Sequence, residues 1–405
     1  MARTWIISEY CYPVVVTTGY YVTEIAEFLA AKGLDVSVIT SNNTYYDSDE
    51  SSKLKYEEHK GVKIYRKLHR QISKNDNKKR VVRFITLSFS FFWMSLRHLK
   101  KGDQVIVLTN PAFFMLFMPV VRFFTGCKYH ILVHDIFPEN LSSLGKVNQN
   151  SGFYKLLKRV FDKAYSKADS LISIGNDMTN VLTAKVKGKT PISLIPNWAD
   201  VEEVKPQKKE DTETYKKVKN FADGCVLFQF AGNLGKAQGL DNLMDAIDKV
   251  ETDDARFLFV GAGAKLDDVN KFAEKHENTH SLGFVSRSQQ NDFLNACDVG
   301  IVTLADGMYG LGVPSKSYNI MATGRPILYV GEEDSEVAMF IKKYDIGWVV
   351  KPKDPQALKN QIEAIVNEHD TLQLKGINAR EVAEKVYGKN VILEKYYQFI
   401  KKQNG

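Results

Sequence analysis

The 405-residue sequence contains no apolar run approaching the ~20 residues that a bilayer-crossing helix needs. Residues 1–8 run into a strand-like TWIIS and lack the basic region, apolar stretch and small-residue cleavage site of a secretory leader, so the chain is expected to stay in the cytoplasm. Cysteine is scarce. Cys11, Cys127, Cys225 and Cys297 are scattered through apolar surroundings, which excludes a disulfide framework and paired metal-ligand spacing and leaves them as small buried hydrophobes. A DxD-type metal motif is also lacking: Asp253-Asp254 and Asp267-Asp268 fall on expected surface turns, and no bound metal or other cofactor is implied. The net charge of +7 suits a nucleotide diphosphate, an anionic membrane surface or nucleic acid, but no nucleic-acid-binding motif supports the last.

What the sequence does have is alternation. Apolar, β-branched runs and helix-like stretches follow one another almost throughout, which predicts α/β architecture with parallel sheets covered by helices on both faces. Strands are expected at 4–8, 35–40, 62–66, 104–109, 129–133, 170–174 and 193–195. After a break they are expected again at 226–231, 256–261, 279–282, 299–302, 326–330 and 347–350. The break is charged and almost without apolar periodicity. This divides the chain into an N-terminal domain (1–200), a linker leading into a surface helix (201–223) and a C-terminal domain (224–370), with a helical tail over 371–403. Ligands in open α/β sheets bind beyond the carboxyl ends of strands, so residues just after strands carry the information.

Five such segments stand out. Gly19 opens a helix after the first strand, where it either lets a ligand approach backbone amides or simply serves a strand-to-helix turn. His134-Asp135-Ile136-Phe137-Pro138-Glu139 follows the 129–133 strand. There His134 can donate a hydrogen bond to a sugar hydroxyl and Asp135 can orient it or an acceptor, or Asp135 merely caps a helix. Gly232, Asn233, Gly235, Lys236 and Gly239 follow the 226–231 strand and read as a phosphate cradle with Lys236 as a point charge, although the P-loop spacing is absent. Gly261-Ala262-Gly263 begins a dinucleotide fingerprint, but Leu266 stands at the third glycine position, so this is read as a strand–helix turn beside a cleft. Most informative is 310–326, GLGVPSKSYNIMATGRP. Its glycines, Gly312 among them, imply close approach to a ligand. Ser315 and Lys316 then fall near a helix start, and Asn319 lies one turn on.

Taken together these segments resemble glycosyltransferase family 4, retaining enzymes of the GT-B fold with two Rossmann-like doubly wound domains facing across a cleft. The likeness spans VHDIFPE (133–139), IPNWAD (195–200), FAGNLGKAQGLDNLMDA (230–246), FVGAGAKL (259–266), LGFV (282–285) and VPSKSYNIMATGRPIL (313–328). IPNWAD, GNLGKAQGL and VPSKSYNIMATGRP look most like the branch with N-acetylfucosaminyltransferases of O-antigen and capsule assembly. The resemblance implies a nucleotide diphosphate held mainly by the C-terminal domain. Gly283, Phe284 and Val285 would line the base, and Lys236, Ser315 and Lys316 would lie near phosphates and ribose. Gly19 would approach the diphosphate, His134 the donor sugar, and the final helix would return to the N-terminal domain.

The sequence departs from the family where many members carry two glutamates eight residues apart. Leu311 and Asn319 stand there instead. Asn233 also stands where many members have an arginine. Lys316, Asn319 and Asp306 are the expected substitutes. The implied reaction moves a sugar from a nucleotide diphosphate, expected to be UDP, to a polyprenyl-diphosphate-linked glycan in bacterial surface polysaccharide synthesis. Two other readings stay open: a non-hydrolysing nucleotide-sugar epimerase, and an inactive partner of another transferase. Finally, an aromatic stretch at 84–96 lies between Lys78, Lys79, Arg80 and Arg83 on one side and Arg97, Lys100 and Lys101 on the other. It suits a helix lying in the headgroups of an anionic membrane, helped by a second helix at 113–124, unless it is an ordinary buried helix.

Overall fold

The computed structural model describes residues 2–14, 16–44, 52–68, 77–143 and 145–404, the side chains of 77–81, 369 and 404 lying outside that description. The chain divides into two compact units, Met1–Ile195 with Leu393–Gly405, and Pro196–Ile392.

The first unit is built on an eight-stranded sheet of β1 (Thr4–Ile7), β2 (Val36–Ser41), β3 (Tyr56–His59), β4 (Val62–Lys67), β5 (Gln104–Leu108), β6 (Lys128–Val133), β7 (Ser170–Ser173) and β8 (Ile192–Leu194), ordered β3-β4-β2-β1-β5-β6-β7-β8. Every pairing is parallel except β3 with β4. The central strands are buried on both faces, which is why their sequences are apolar without alternation. Strand β3, YEEH, was not expected. It is a half-exposed edge strand with no apolar run to announce it, tied to its neighbour by the Arg66–Glu57 ion pair.

The second unit has six parallel strands: β9 (Val226–Ala231), β10 (Ala255–Val260), β11 (Thr279–Gly283), β12 (Val299–Thr303), β13 (Ile327–Val330) and β14 (Gly347–Val350). Their order is β11-β10-β9-β12-β13-β14, so the winding reverses between β9 and β12. The two-residue period of a strand sorts its core. Val226, Phe228 and Phe230 enter one apolar cluster, while Leu227 and Ala231 enter the other.

Residues 201–223 fall within the second unit. Within them the helix Glu213–Ala222 is capped by the Thr212 hydroxyl, and Asp292 accepts the amides of Glu213 and Thr214. Tyr215, Val218 and Ala222 join the core of the second unit. Three apolar residues at helical spacing suffice, and the surrounding charges hid them. The tail is likewise two helices, His369–Lys385 and Lys389–Asn404, separated where Ala199 bridges to Gly388. The first helix belongs to the second unit, and the chain returns to the first unit from Leu393. There Phe399 meets the His130 ring edge-on, Glu394 pairs with Lys32, and Gln104 donates to the Gln403 carbonyl. Among the described residues no helix is long and apolar enough to cross a membrane.

Candidate functional site

In the second unit the site is made by the ends of β9, β10 and β12, at the point where the winding reverses. Gly232 follows β9 with φ +131°, and its amide donates to the Val260 carbonyl at 2.8 Å. Gly261 follows β10 with φ +149°, and its amide donates to the Gly283 carbonyl at 2.7 Å. A Cβ on Gly261 would lie 1.8 Å from the Gly232 carbonyl oxygen. Only glycine fits there on both counts. The two turns are stitched further: Leu234 donates to Ala262 at 3.0 Å, and Lys265 donates back to Leu234 at 2.9 Å. From the other side Ala305 donates to the Ala237 carbonyl at 2.9 Å, and Thr303 Oγ1 donates to the Gln238 carbonyl.

This alters the expected phosphate cradle. The amides of Gly232 and Gly261 are already engaged by neighbouring strands. Their missing side chains instead provide clearance, bringing two loops into backbone contact and admitting one cation. That cation is Lys316. Its Nζ is buried without a hydrogen-bond partner among the described residues, 3.5 Å from the centroid of the Phe230 ring. It also lies 3.4 Å from where a Gly232 Cβ would stand. Desolvation pushes the ammonium down to about 7. An unpaired buried ammonium is costly, and an anion arriving beside Gly232 would relieve that cost.

The remaining expected residues are placed around this centre. Ser315 precedes the seven-residue helix Lys316–Ala322 without a capping hydrogen bond from its side chain, and Asn319 is half-buried on that helix. Gly312 is half-buried, whereas Leu311 is part of the buried apolar set. Lys236 is exposed at the start of the short 3-10 turn Lys236–Gln238. Asn233 is exposed, and its amide packs against Gly235, where a Cβ would come 2.9 Å from Nδ2. Gly283 has φ +69°, Phe284 is exposed, and Val285 packs on the core. Asp306 is bound to Lys353, which holds its carboxyl below the usual range. Its expected role as a substitute for a family glutamate therefore competes with that ion pair. Phe230, the surface under Lys316, was not anticipated. A strand-end aromatic in an apolar run looks like any core residue.

In the first unit, Gly19 lies within the helix Thr17–Ala31, and a Cβ there would come 2.5 Å from the Val14 carbonyl oxygen. Close packing of its own loop thus already requires glycine. Val15, in the same loop, lies outside the described residues. His134 is half-buried, its ring edge-on to Tyr21 at 6.2 Å, and desolvation pushes it down to about 4, so it is neutral at pH 7. The amides of His134 and Asp135 both donate to Thr109 Oγ1 at 3.3 Å. The Asp135 carboxylate accepts from Asn140 Nδ2 at 2.8 Å, so it braces the following helix rather than orienting the imidazole. Behind this loop Glu139 accepts from Lys185 and Lys158, both at 2.8 Å. Among the described residues no group of three or more His, Cys, Asp or Glu is placed to hold a metal ion.

The helix Asn77–His98 is amphipathic in an unforeseen way. Arg83, Leu87, Ser88, Phe91 and Ser95 face inward, and Arg83 pairs with buried Glu9 at 3.2 Å rather than flanking a membrane face. Val82, Ile85, Phe89 and Trp93 are exposed. The side chains of Lys78, Lys79 and Arg80 lie outside the described residues. The expected 113–124 helix is a 3-10 turn, Ala112–Leu116, followed by the helix Met118–Thr125, which exposes Phe123 and Phe124.

A family profile described as "Glycosyltransferase Family 4" matches residues 18–203, and one described as "Glycosyl transferases group 1" matches residues 211–382. Among known proteins, the "Probable glycosyltransferase WbjE" of Pseudomonas aeruginosa is 39% identical over 79% of this chain and 80% of its own. The "Putative colanic acid biosynthesis glycosyl transferase WcaI" of Escherichia coli K12 is 23% identical over 96% and 97%. Sucrose-phosphate synthase from Thermosynechococcus elongatus superposes with a TM-score of 0.77 at 16% identity, covering 99% of each chain. HepE of Anabaena in complex with UDP superposes with 0.69 at 13% identity, covering 99% and 100%. The structural likenesses establish the fold as GT-B. With the two profile matches and the WbjE relationship, they identify the chain as a member of the group 1, family 4 glycosyltransferases.

Proposed function

We propose that this glycosyltransferase moves a hexose-type sugar, N-acetylated or deoxy, from a UDP-linked donor to a polyprenyl-diphosphate-linked glycan, with retention at the anomeric carbon and without a bound metal, during surface polysaccharide assembly. The observation that carries the reading is Lys316: a buried, unpartnered amine beside a glycine-cleared loop at the switch point of a parallel sheet. UDP is favoured because HepE, a structural relative, was crystallised with UDP and with UDP-glucose. Polysaccharide assembly is favoured by the name of WcaI. Negative charge grows on the leaving diphosphate in the transition state, and Lys316, with exposed Lys236, would meet it. His134, neutral at pH 7, would offer the donor sugar an imidazole hydrogen bond. The exposed Phe89, Trp93, Phe123 and Phe124, with exposed Arg97, Lys100 and Lys101, suit peripheral attachment to an anionic membrane, where a polyprenyl acceptor resides.

The test is Lys316→Ala, assayed with a UDP-sugar panel and lipid-linked acceptors. A folded variant should lose kcat/KM by about 2–4 kcal/mol of transition-state stabilisation. Near-normal kcat/KM would remove Lys316 from the site. Activity should also survive EDTA; complete loss restored by magnesium or manganese would refute the metal-free chemistry. Turnover of donor alone to an epimer would instead favour an epimerase.

A further inference from the structure

We propose that Lys316 is stowed rather than displayed in the ligand-free protein: its amine rests on the Phe230 ring away from any acceptor, and a nucleoside diphosphate entering beside Gly232 pairs with it, so that donor binding takes up a proton from solvent. The inference rests on the diphosphate reading of this site and adds a linkage to it.

The geometry comes first. Among the described residues Nζ has no hydrogen-bond partner; it is buried, with an aromatic face 3.5 Å away. A ring face attracts an ammonium, but it supplies no acceptor and replaces only part of the lost hydration. The surrounding charges do not compensate. On the loop after β10, Lys265 is neutralised by Asp241 at 2.8 Å and Asp268 at 3.0 Å. On the loop after β12, Asp306 is held by Lys353. Lys236, after β9, is exposed and of like sign. The helix Lys316–Ala322 carries no second charged residue. Desolvation therefore acts unopposed and sets the amine at about 7. A diphosphate within hydrogen-bond reach would reverse that shift, because an opposite charge favours the protonated form.

The sign follows. Above pH 7 the empty site is mostly neutral and the loaded site is charged, so binding takes up a proton and weakens as pH rises. At pH 8 the empty amine is mostly deprotonated, so the greater part of one proton should be taken up per nucleotide. Between pH 8 and 9 the dissociation constant should rise about tenfold. The phosphate of UDP, with its last ionisation at ~6, is fully charged throughout this range.

The experiment is calorimetric titration of the full-length protein with UDP at pH 8.0, in buffers of differing protonation enthalpy. The wild type should show uptake of the greater part of one proton. Lys316→Arg, charged at every accessible pH, should bind UDP without uptake. Lys316→Gln, checked for folding by its melting curve, should bind more weakly and also without uptake. UDP binding by the wild type without proton uptake would overturn the stowed lysine while leaving the site intact. Equal uptake by the wild type and either variant would assign the proton elsewhere and also overturn it. Failure of the folded wild type to bind UDP would overturn the diphosphate reading itself, and the inference with it.

Discussion

The two sheets wind alike about a central first strand, yet their strand ends are held in opposite ways. In the second unit the loops meet through backbone: Gly232 against Gly261, Leu234 against Ala262, Ala237 against Ala305. In the first unit buried charge does the holding. Glu9, fully buried just beyond β1, accepts from Asn43 at 3.1 Å and pairs with Arg83 at 3.2 Å. Glu139, just beyond the His134 loop, is held by Lys158 and by Lys185, whose side chain is 1% exposed and also pairs with Asp162 at 2.5 Å. Under the proposed function the second unit would hold a nucleotide diphosphate that is the same in every turnover, which loops joined by backbone suit. The first unit would be fitted to a particular acceptor, and side-chain pairs can be exchanged one by one.

If that contrast is right, each unit should break in its own way. The largest effect is expected from Gly261→Val, which places a branched side chain where even a Cβ meets the Gly232 oxygen at 1.8 Å. UDP binding should be lost altogether, with a lowered melting temperature, while the first unit retains its structure. Retained UDP affinity would mean that the loop contact is incidental. Next is Lys185→Met. It leaves the half-buried Glu139 and Asp162 with Lys158 as their remaining cation and should cost about 1–3 kcal/mol. Urea unfolding should show that loss, while UDP affinity stays unchanged because the proposed nucleotide site belongs to the other unit. A parallel fall in UDP affinity would refute the separation.

Acid should separate the units more gently. His130, fully buried between Ser170 at 2.7 Å and Gln104 at 3.0 Å, is pushed by desolvation down to about 4. A histidine with a lowered folded-state pKa destabilises the fold once pH drops below its ordinary 6.5, and the loss is complete below the folded value. The first unit should therefore lose about 3 kcal/mol between pH 6.5 and 4 through His130. His134, also pushed to about 4, acts in the same window. Glu139 adds a later loss: burial pushes its carboxyl up, but Lys185 and Lys158 hold it below the usual range, so its contribution disappears as pH falls through that lowered value. Urea titrations at pH 7, 5.5 and 4.5 should show the trend, and His130→Gln should flatten it. An unchanged slope in that variant would acquit His130.

The parallel strands were legible because burial on both faces leaves a continuous apolar run. β9, buried throughout, even falls at the expected residues, Val226–Ala231. β3 was illegible because an edge strand needs no such run. The helix Glu213–Ala222 was expected as a surface helix, but its packing on the core was illegible because Tyr215, Val218 and Ala222 are outnumbered by charge. At the site, the glycines and Lys316 could be marked, since glycine after a strand and lysine after a glycine loop are local signals. That Phe230 lies under Lys316, that Thr109 holds the His134 and Asp135 amides, and that Arg83 turns inward to Glu9 depend on pairings across sequence distance. Lys185 had one local clue, a place on the apolar spacing of Met178 and Leu182.

The smallest effect on folding, and the sharpest test of the first unit's outer surface, concerns its exposed aromatics. Phe91 is fully buried and meets Phe114 edge-on, so replacing it would test only the core. Trp93, 67% exposed, and Phe123, 82% exposed, belong to neighbouring helices and gain nothing from water. The third helix of this group, Gly152–Lys167, exposes Phe153, Leu156 and Val160. Trp93→Ser with Phe123→Ser should leave stability within about 0.5 kcal/mol per site. It should leave UDP affinity unchanged, because both residues belong to the first unit. What should fall is flotation with anionic liposomes, which in the wild type should weaken as salt screens the contribution of Arg97, Lys100 and Lys101. Equal recovery of the wild type with neutral and anionic vesicles, or none with either, would sink the membrane reading. Undiminished flotation of the double variant would move the contact to another surface.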